Sequence, residues 1–286
     1  MKIIVTGSLG QISKPLTNGL VEKGHSVTVI SSNPERQKDI EALGAKATIG
    51  TMEDATFLTA AFTGADAVYC MISSGDVSTI AYNYKQAIQQ TNVKRVVHLS
   101  SVGAHTDKNN GFLRDFYIVE NILRELPPDV SISHLRVGGL YSNLYRFIDA
   151  IKTQGVIASS YGADDITPWV SPLDIAAVAA EEIVTPFVGR KVRYVASDEA
   201  TCNEVAGILG AAIGKPDLKW VVISDEQLRS ELIASGMHPT VADGFVEMNA
   251  STHSGKLLED YYRNRPTLGK VKIADFAKEF AIVFNR

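Results

Sequence analysis

This chain of 286 residues has few cysteines, no long apolar run and no excess of basic residues. Its two cysteines, Cys70 and Cys202, lie far apart and form no CxxC pair, which argues against a disulfide-stapled secreted domain. No segment approaches the roughly 18 consecutive apolar residues that a membrane span requires. Acidic residues outnumber basic ones by 32 to 28, so the concentrated basic face of a nucleic-acid-binding protein is not expected.

Metal-ligand spacings and the common hydrolase motifs are absent as well. The six histidines form no i, i+4 pair, and none has cysteines at ligand spacing, so no metal site is predicted. There is neither a Gly-x-Ser-x-Gly elbow nor a Walker lysine pattern. The first residues enter an apolar run that reaches Gly7, which leaves no room for a signal peptide. We therefore expect a cytoplasmic protein with neither a membrane nor nucleic acid as its partner.

What the sequence does contain, up to about residue 137, is an alternation of short β-branched runs and longer helical segments. This alternation is typical of a parallel sheet with crossover helices and predicts a Rossmann-like, doubly wound α/β fold. Six strands are predicted, at Lys2–Thr6, Ser26–Ile30, Ala45–Ile49, Ala67–Ile72, Arg95–Ser100 and Ser131–Arg136. Residues 138–286 read as a smaller, mostly helical region, and we expect it to pack against residues 1–137 because no Pro-rich linker separates them.

The first predicted strand runs directly into Thr6-Gly7-Ser8-Leu9-Gly10-Gln11-Ile12-Ser13 and then into a helix. Small residues at such a turn let the backbone approach a pyrophosphate, whose charge is met by free amides at the helix N-terminus. Ser13 replaces the third glycine of the pattern, so helix–strand packing must accommodate its hydroxymethyl group. The alternative is that the glycines only permit a tight turn. The predicted cofactor contacts in this turn are Gly7, Leu9, Gly10, Gln11 and Ile12.

Hydrogen-bond donors follow the second predicted strand. NAD sites place a carboxylate near this strand end for the ribose hydroxyls, whereas a 2′-phosphate needs hydroxyl, amide and guanidinium donors. The chain offers Ser31, Ser32, Asn33 and Arg36 there, with no acid at the tip. NADP(H) is therefore predicted over NAD(H). The alternative is that Arg36 is a solvated charge in the first helical turn, and Glu35 beside it is a mild objection.

Taken together, the motifs resemble those of the NmrA-like, atypical short-chain dehydrogenase/reductase family, and within it the bacterial NAD(P)H:quinone oxidoreductase type. The resemblance covers nearly the whole chain. Besides the two segments above, its markers are residues 50–54 (Gly-Thr-Met-Glu-Asp), 100–104, 135–143 and 169–176. It implies an NAD(P)-binding domain at 1–137, a substrate-binding region at 138–286 and an NAD(P)H-dependent oxidoreductase activity. It also implies that the residues after the sixth strand flank the nicotinamide and the substrate pocket, among them Gly138, Tyr141 and Asn143.

The sequence departs from the wider superfamily at its catalytic pair. Those reductases carry Tyr-x-x-x-Lys on the helix after the fifth strand, where the ammonium lowers the pKa of the phenol for acid–base work. With Glu120 aligned to the acid that often follows, the two positions hold Phe112 and Phe116. The proton relay is missing. Two phenylalanines at this spacing are predicted to form an apolar wall for a flat aromatic ligand, or simply to pack in the core.

The remaining candidates lie where strands end. Met71, Ile72 and Ser73 are predicted to lie along the cofactor, and so is Ser100. Ser101 and Tyr141 are the candidate catalytic hydroxyls, although serines at strand ends are as often turn or cap residues. The predicted substrate pocket comprises Phe112, Phe116, Tyr141, Asn143 and Trp169.

The absence of the Tyr/Lys pair decides which kind of hydride acceptor is favoured. Hydride delivery to a simple ketone builds an alkoxide that needs an acid, whereas a quinone spreads the charge through an aromatic product. The sequence therefore predicts hydride transfer from NADPH to a quinone or similar conjugated acceptor without a Tyr/Lys relay. The main alternative is a nucleotide-sensing regulator that binds NAD(P) and a protein partner without turnover. An epimerase or ether reductase is a third reading.

Overall fold

The computed structural model describes all residues from 1 to 286, and they form two compact units of similar size. Each unit is assembled from three separate segments of the chain. The first contains Met1–Ser101, Asp115–Arg136 and Ile175–Arg193, and the second contains Val102–Arg114, Val137–Asp174 and Tyr194–Arg286. This arrangement differs from a single division at residue 137, because the chain changes unit five times. No helix has both the length and the apolar character needed to cross a bilayer.

A seven-stranded sheet organises the first unit. Its strands are β1 (Lys2–Val5), β2 (Ser26–Ser31), β3 (Lys46–Ile49), β4 (Ala67–Cys70), β5 (Arg95–Ser101), β6 (Ser131–Val137) and β10 (Arg190–Val195). They lie in the order β10-β6-β5-β4-β1-β2-β3, and the pairs β1–β2, β1–β4, β2–β3 and β4–β5 are parallel. The chain order reverses at β1, which is the arrangement of a doubly wound fold. The predicted fold class is confirmed.

All six predicted strands are present, each within two residues of the expected bounds. The seventh, β10, was not predicted. Its sequence, Arg-Lys-Val-Arg-Tyr-Val, mixes charged and apolar residues, and its first four residues are at least partly exposed, as suits an edge strand. Central strands such as β4 and β6 are buried along their whole length.

The helices that cover the sheet are α1 (Ser13–Glu22), α2 (Gln37–Ala42), α3 (Ala55–Phe62), α4 (Val77–Thr91), α5 (Arg114–Arg124) and α7 (Pro172–Val184). Side-chain caps fix several of their starts. Asp54 accepts hydrogen bonds from the backbone N–H groups of Thr56 and Phe57, and Asp76 accepts one from Thr79 at 2.6 Å. Asn33 caps the short 3-10 helix Pro34–Arg36 that precedes α2.

The main core of the first unit lies between the sheet and helices α4 and α5. Ile4, Val68 and Val96 of the sheet pack with side chains such as Tyr84 and Leu123, all of them fully or almost fully buried. Each large apolar side chain buried in this way stabilises the fold by about 1.5–3 kcal/mol. The loops at the carboxyl ends of the strands are thus held on a rigid base.

The second unit combines helices with short strands. It contains β7 (Gly139–Leu140), β8 (Val156–Ser159), β9 (Ile166–Val170), β11 (Asp198–Thr201) and β12 (Lys219–Val222), with α6 (Ile148–Gln154), α8 (Cys202–Ala212), α9 (Asp225–Ala234), α10 (Pro239–His253), α11 (Glu259–Arg263) and α12 (Ile273–Phe284). The strands form a β11-β9-β7 sheet and a β12-β8 pair. Its core is rich in aromatic rings, including those of Tyr141, Phe147, Trp220 and Phe280.

Candidate functional site

The phosphate turn joins β1 to α1, and its geometry requires glycine at position 7. Gly7 has a φ of +88°, and a Cβ placed there would lie 2.6 Å from Ser13 Oγ and 2.8 Å from Met71 Sδ. Ser13 does not loosen this packing, because its hydroxyl donates to the carbonyl of Thr6 at 2.8 Å and ties the helix start to the strand end. The serine in place of the third glycine is thus accommodated by a hydrogen bond.

The start of α1 offers free backbone donors. Ile12, at its N-cap, makes no side-chain capping hydrogen bond, and the backbone N–H groups of Gln11 and Ile12 donate to no protein carbonyl. The first amides of a ten-residue helix carry the positive end of its dipole and suit a phosphate oxygen. The turn expected to hold a pyrophosphate therefore has the close backbone approach and the donors that the role requires.

Beside this turn the first unit contains an open cavity of about 310 Å³. Five of the predicted cofactor residues line it, namely Gly7, Ser31, Ser32, Arg36 and Ser73. Sequence reasoning missed other lining residues, among them Ser8, Thr51, Met52, Glu53, Gly75 and Ile80. Residues 50–53 belong to a motif of the family resemblance, which does not by itself indicate that they line the cavity.

Donors and one acid are arranged around this cavity. Ser8 Oγ donates to Ser31 Oγ at 3.0 Å, and the exposed guanidinium of Arg36 has no protein carboxylate within 4 Å. Glu53 is the one acidic residue among the lining side chains, and its carboxylate lies against Gly75, whose φ is +91°. The guanidinium of Arg36 is therefore free to pair with an anionic group of a ligand.

Three further predicted cofactor residues, Asn33, Met71 and Ile72, have protein partners. Asn33 does not line the cavity, since its side-chain oxygen accepts a hydrogen bond from the backbone of Glu35 at 2.8 Å. The backbone N–H of Met71 donates a hydrogen bond to Thr6 Oγ1 at 2.9 Å, and the carbonyl of Met71 accepts one from the hydroxyl of Tyr84 at 2.8 Å. Ile72 packs against the main core of the first unit. These contacts fix the course of the chain at the edge of the cavity.

At the end of β5 the two candidate serines behave differently. Ser100 is fully buried and donates to Glu120 at 2.6 Å, and the same carboxylate pairs with Arg136 through contacts of 3.0 and 2.7 Å. Glu120 is 1% exposed, so this is a buried ion pair. The hydroxyl of Ser101 makes no hydrogen bond to the protein. Of the two, only Ser101 has a hydroxyl free for a ligand.

Two histidines beside this network are neutral. His98 on β5 and His134 on β6 are buried, with their Nδ1 atoms 3.0 Å apart and their rings edge to face. Burial is the main cause that lowers the pKa of His98 to about 3, and the interaction with His134 is the second cause. Burial also lowers the pKa of His134 to about 3, helped by nearby arginines. At neutral pH the pair shares a hydrogen bond and carries no charge.

The predicted phenylalanine wall does not form along one helix. Phe116 lies on α5, but Phe112 lies in the preceding 3-10 helix Gly111–Leu113, which belongs to the second unit. Gly111 has a φ of +55°, and a Cβ there would come within 1.9 Å of the carbonyl oxygen of Gly244. That close approach places Phe112 against α10, and the centroid of its ring lies 4.8 Å from that of Phe245.

The candidate residues after β6 lie in the second unit. Tyr141 is buried and donates to Asp198 at 2.9 Å, and burial together with this hydrogen bond raises the pKa of the phenol far above its ordinary value. The hydroxyl of Tyr141 is therefore held by the protein. Trp169 is buried in the aromatic core, and Gly138 has no room for a Cβ, which would lie 2.5 Å from the Pro168 carbonyl oxygen. Asn143 is exposed.

The fold and the phosphate turn define a dinucleotide-binding α/β protein. A family model described as NAD(P)H-binding matches residues 7–183, and the chain belongs to that family. The resemblance seen in the sequence is thereby confirmed. Over 250 residues the chain is 25% identical to the NAD(P)H azoreductase of Xenophilus azovorans, covering 87% of this chain and 86% of that protein.

Two solved structures share the fold over almost the whole chain. The NADPH-dependent quinone oxidoreductase QOR2 of Escherichia coli, in complex with NADPH, superposes with a TM-score of 0.83 at 22% identity, covering 97% of this chain and 99% of that chain. The triphenylmethane reductase of Citrobacter sp., in complex with NADP(H), superposes with a TM-score of 0.80 at 18% identity, covering 98% and 99%.

Proposed function

We propose that this NAD(P)H-dependent oxidoreductase uses NADPH to reduce a quinone or a similar conjugated acceptor. One observation carries the choice of acceptor: helix α5 contains no lysine that could form a phenol–ammonium pair for proton transfer. Helix α5 has no Tyr-x-x-x-Lys, and the hydroxyls of Ser100 and Tyr141 are held by Glu120 and Asp198. An acceptor whose reduced form spreads its charge through an aromatic ring needs such a pair least.

The choice of NADPH rests on the cavity beside the phosphate turn. The turn and the start of α1 would hold the pyrophosphate, which places the adenosine end of the cofactor toward Ser31, Ser32 and Arg36. A 2′-phosphate there would meet the hydroxyl of Ser32 and an unpaired guanidinium, since the hydroxyl of Ser31 donates to the carbonyl of Asn33 at 3.2 Å. Arginine suits this task because its planar group donates two parallel hydrogen bonds to phosphate oxygens.

A reduced dinucleotide held by the phosphate turn would supply the hydride. The residues of the chain orient it and stabilise the charge that develops on the acceptor. Ser101 is assigned the second task, because its hydroxyl is free to donate a hydrogen bond to the acceptor oxygen that becomes negative. Water then protonates the product, whose delocalised oxyanion is far less basic than an alkoxide.

The names of the similar proteins support this proposal. A quinone, an azo compound and a triphenylmethane dye are all conjugated acceptors. Each can take a hydride into an extended π-system. The chemistry common to these names agrees with the proposal made from the residues of this chain.

The test is to mix the purified protein with NADPH and a panel of quinones and to follow the nicotinamide absorbance. We expect oxidation of NADPH with quinones and none with a simple ketone such as cyclohexanone. Ser101→Ala should lower the turnover number about tenfold without changing NADPH affinity, while Ser101→Thr should retain activity. Tight binding of NADPH with no oxidation above the protein-free rate would favour the nucleotide-sensing regulator instead.

A further inference from the structure

The first unit contains a second open cavity, of about 470 Å³, at the amino ends of its strands. Among its lining residues are Lys2, Ser26 and Lys46, which are the first residues of β1, β2 and β3. The cavity beside the phosphate turn lies where these strands end, and the two cavities share no lining residue. Strand β2 rises about 17 Å from Ser26 to Ser31, so the two cavities are separate sites.

One face of the sheet is polar at this second cavity. Parallel strands that are covered on both faces normally read as continuous apolar runs. Strand β2 begins instead with alternating polar and apolar residues, and its register with β3 pairs Thr28 with Lys46 on the face that lines the cavity. On the opposite face of β2, Val27 and Val29 are buried. The polar residues are thus confined to the face on which the covering layer leaves a space.

Small residues in α3 and the turn after it leave this space open. The helix side of the cavity is lined by Ala60, Ala61, Thr63, Gly64 and Ala65. The ring of Phe57 also lines the cavity and packs on Gly50, where a Cβ would lie 2.3 Å from it. Together with Ile4, these residues give the cavity an apolar side that suits the carbon skeleton of a small ligand.

The polar side offers hydrogen-bond donors that the protein does not use. The side chains of Lys2 and Lys46 form neither an ion pair nor a hydrogen bond with the protein. Three hydroxyl groups are also without a protein partner, and they belong to Ser26, Thr28 and Thr48. The chain has a net charge of −4, yet this cavity is lined by two unpaired cations and by no acid. Its ligand is therefore expected to be an anion.

The two lysines stand on either side of the hydroxyl groups of β2. In the register of the sheet, Lys2 pairs with Ser26, and Lys46 pairs with Thr28. Two strand spacings and this stagger of two residues put the two lysine Cα atoms about 12 Å apart. The flexible stems of both lysines allow their ammonium groups to turn toward one anion between them. Asp66 accepts a hydrogen bond from the backbone N–H of Lys2 at 2.7 Å but does not line the cavity.

We propose that this cavity, which we call the amino-end cavity, binds a small phosphate monoester. The phosphate would accept hydrogen bonds from the hydroxyls and the two ammonium groups, and the organic group would lie against Phe57 and the alanines of α3. A phosphate monoester carries about −1.5 to −2 charge at neutral pH and has three strong acceptor oxygens, which suits two cations and several donors better than a carboxylate does. The site is independent of the dinucleotide and of the identity of the acceptor.

The first experiment measures binding by calorimetry to protein saturated with NADP⁺, so that the phosphate turn is already occupied. The ligands are phenyl phosphate and benzoate, at a mildly alkaline pH where the monoester is doubly charged. The wild type should bind phenyl phosphate about tenfold more tightly than benzoate. Lys46→Ala should lower the affinity for phenyl phosphate about five- to tenfold. Lys23→Ala is the matched control, because Lys23 is an exposed cation of the same unit that does not line the cavity.

The second experiment tests the apolar side of the amino-end cavity. Ala60 is exposed and lines the cavity, so Ala60→Leu should fill part of the space without disturbing the core. The variant should weaken the binding of phenyl phosphate about fivefold and leave that of inorganic phosphate unchanged. Thr28→Val, which removes one hydroxyl and keeps the shape, should weaken both ligands. Unchanged NADPH binding in each variant shows that the unit is folded.

Four outcomes would overturn the proposal. Equal losses in Lys46→Ala and Lys23→Ala would show only a general attraction of anions to the surface. Binding of phenyl phosphate that disappears on saturation with NADP⁺ would place the anion at the phosphate turn. Equal affinity for phenyl phosphate and benzoate would mean that phosphate is not the group recognised, and full affinity for phenyl phosphate in Ala60→Leu would place its ring elsewhere. None of these measurements involves quinone reduction, so the proposed function is tested separately.

Discussion

Replacing Arg36 by alanine should weaken the binding of NADPH much more than that of NADH. The guanidinium lines the cavity and is unpaired, so a 2′-phosphate would gain its charge-assisted hydrogen bonds without first breaking a protein ion pair. Hydrogen bonds to charged groups contribute about 1.5–3 kcal/mol. Because Arg36 is exposed, solvent screening favours the lower end of that range. The expected loss of NADPH affinity is therefore about ten- to thirtyfold.

The assay is a fluorescence titration of the reduced dinucleotides with the wild type and the variant, repeated at low and high salt. NADH, which has no 2′-phosphate, should lose at most about twofold. The salt dependence of NADPH binding should become shallower in the variant, because one charge interaction has gone. Lys38→Ala is the matched control, since Lys38 is an exposed cation two residues away that does not line the cavity. An equal loss for NADPH and NADH in Arg36→Ala would refute the assignment of the 2′-phosphate.

Three further predictions concern stability and the phosphate turn. Glu120→Gln should lower the free energy of unfolding by about 3 kcal/mol in urea titrations, because it removes the charge of a buried pair, whereas Glu259→Gln in an exposed pair should cost almost nothing. Gly7→Ala should abolish tight dinucleotide binding in the same fluorescence titration, whereas Gly24→Ala should keep it, since both have positive φ but only Gly7 lacks room for a Cβ. His98 is protonated below about pH 6.5 in the unfolded chain, but only below about pH 3 in the folded protein. As the pH falls from 6.5 to 3, this residue should therefore lower the free energy of unfolding by up to about 1.4 kcal/mol per pH unit, as measured in unfolding experiments.

Each of these predictions has an opposing outcome. Equal destabilisation by the two glutamate substitutions would show that burial does not strengthen the Glu120 pair. Loss of binding in Gly24→Ala as well would assign the effect to backbone strain rather than to crowding at the turn. For the histidine, His98→Gln should flatten the slope of stability against pH between 6.5 and 3. An unchanged slope would mean that other groups cause the loss in acid.

The features that the sequence predicted well are those set by neighbours along the chain. The six strands follow from runs of β-branched residues, and the donors at Ser31, Ser32 and Arg36 follow directly from the end of one strand. Capping residues such as Asp54 also accept hydrogen bonds from backbone groups no more than three positions away. Local order was enough to find five of the residues that line this cavity.

The contacts that the sequence did not indicate join residues that are distant along the chain. The hydroxyl of Tyr141 is held by Asp198, 57 residues away, and no periodicity of the sequence indicates such a contact. Phe112 was expected on α5, but the approach of Gly111 to Gly244 takes it out of the helix. Helical spacing alone therefore could not tell which phenylalanine belongs to which unit.

The five changes of unit along the chain have a consequence for how the protein is made on the ribosome. The first unit lacks α7 and most of β10 until residues 175–193 have been synthesised, after an intervening segment of the second unit. Until then β6, which is buried along its whole length in the finished sheet, is left as an open edge. Exposed edges of this kind pair with other chains. The nascent protein is thus most prone to aggregate between the synthesis of β6 and that of β10, and a fragment ending at residue 137 would stay in that vulnerable state.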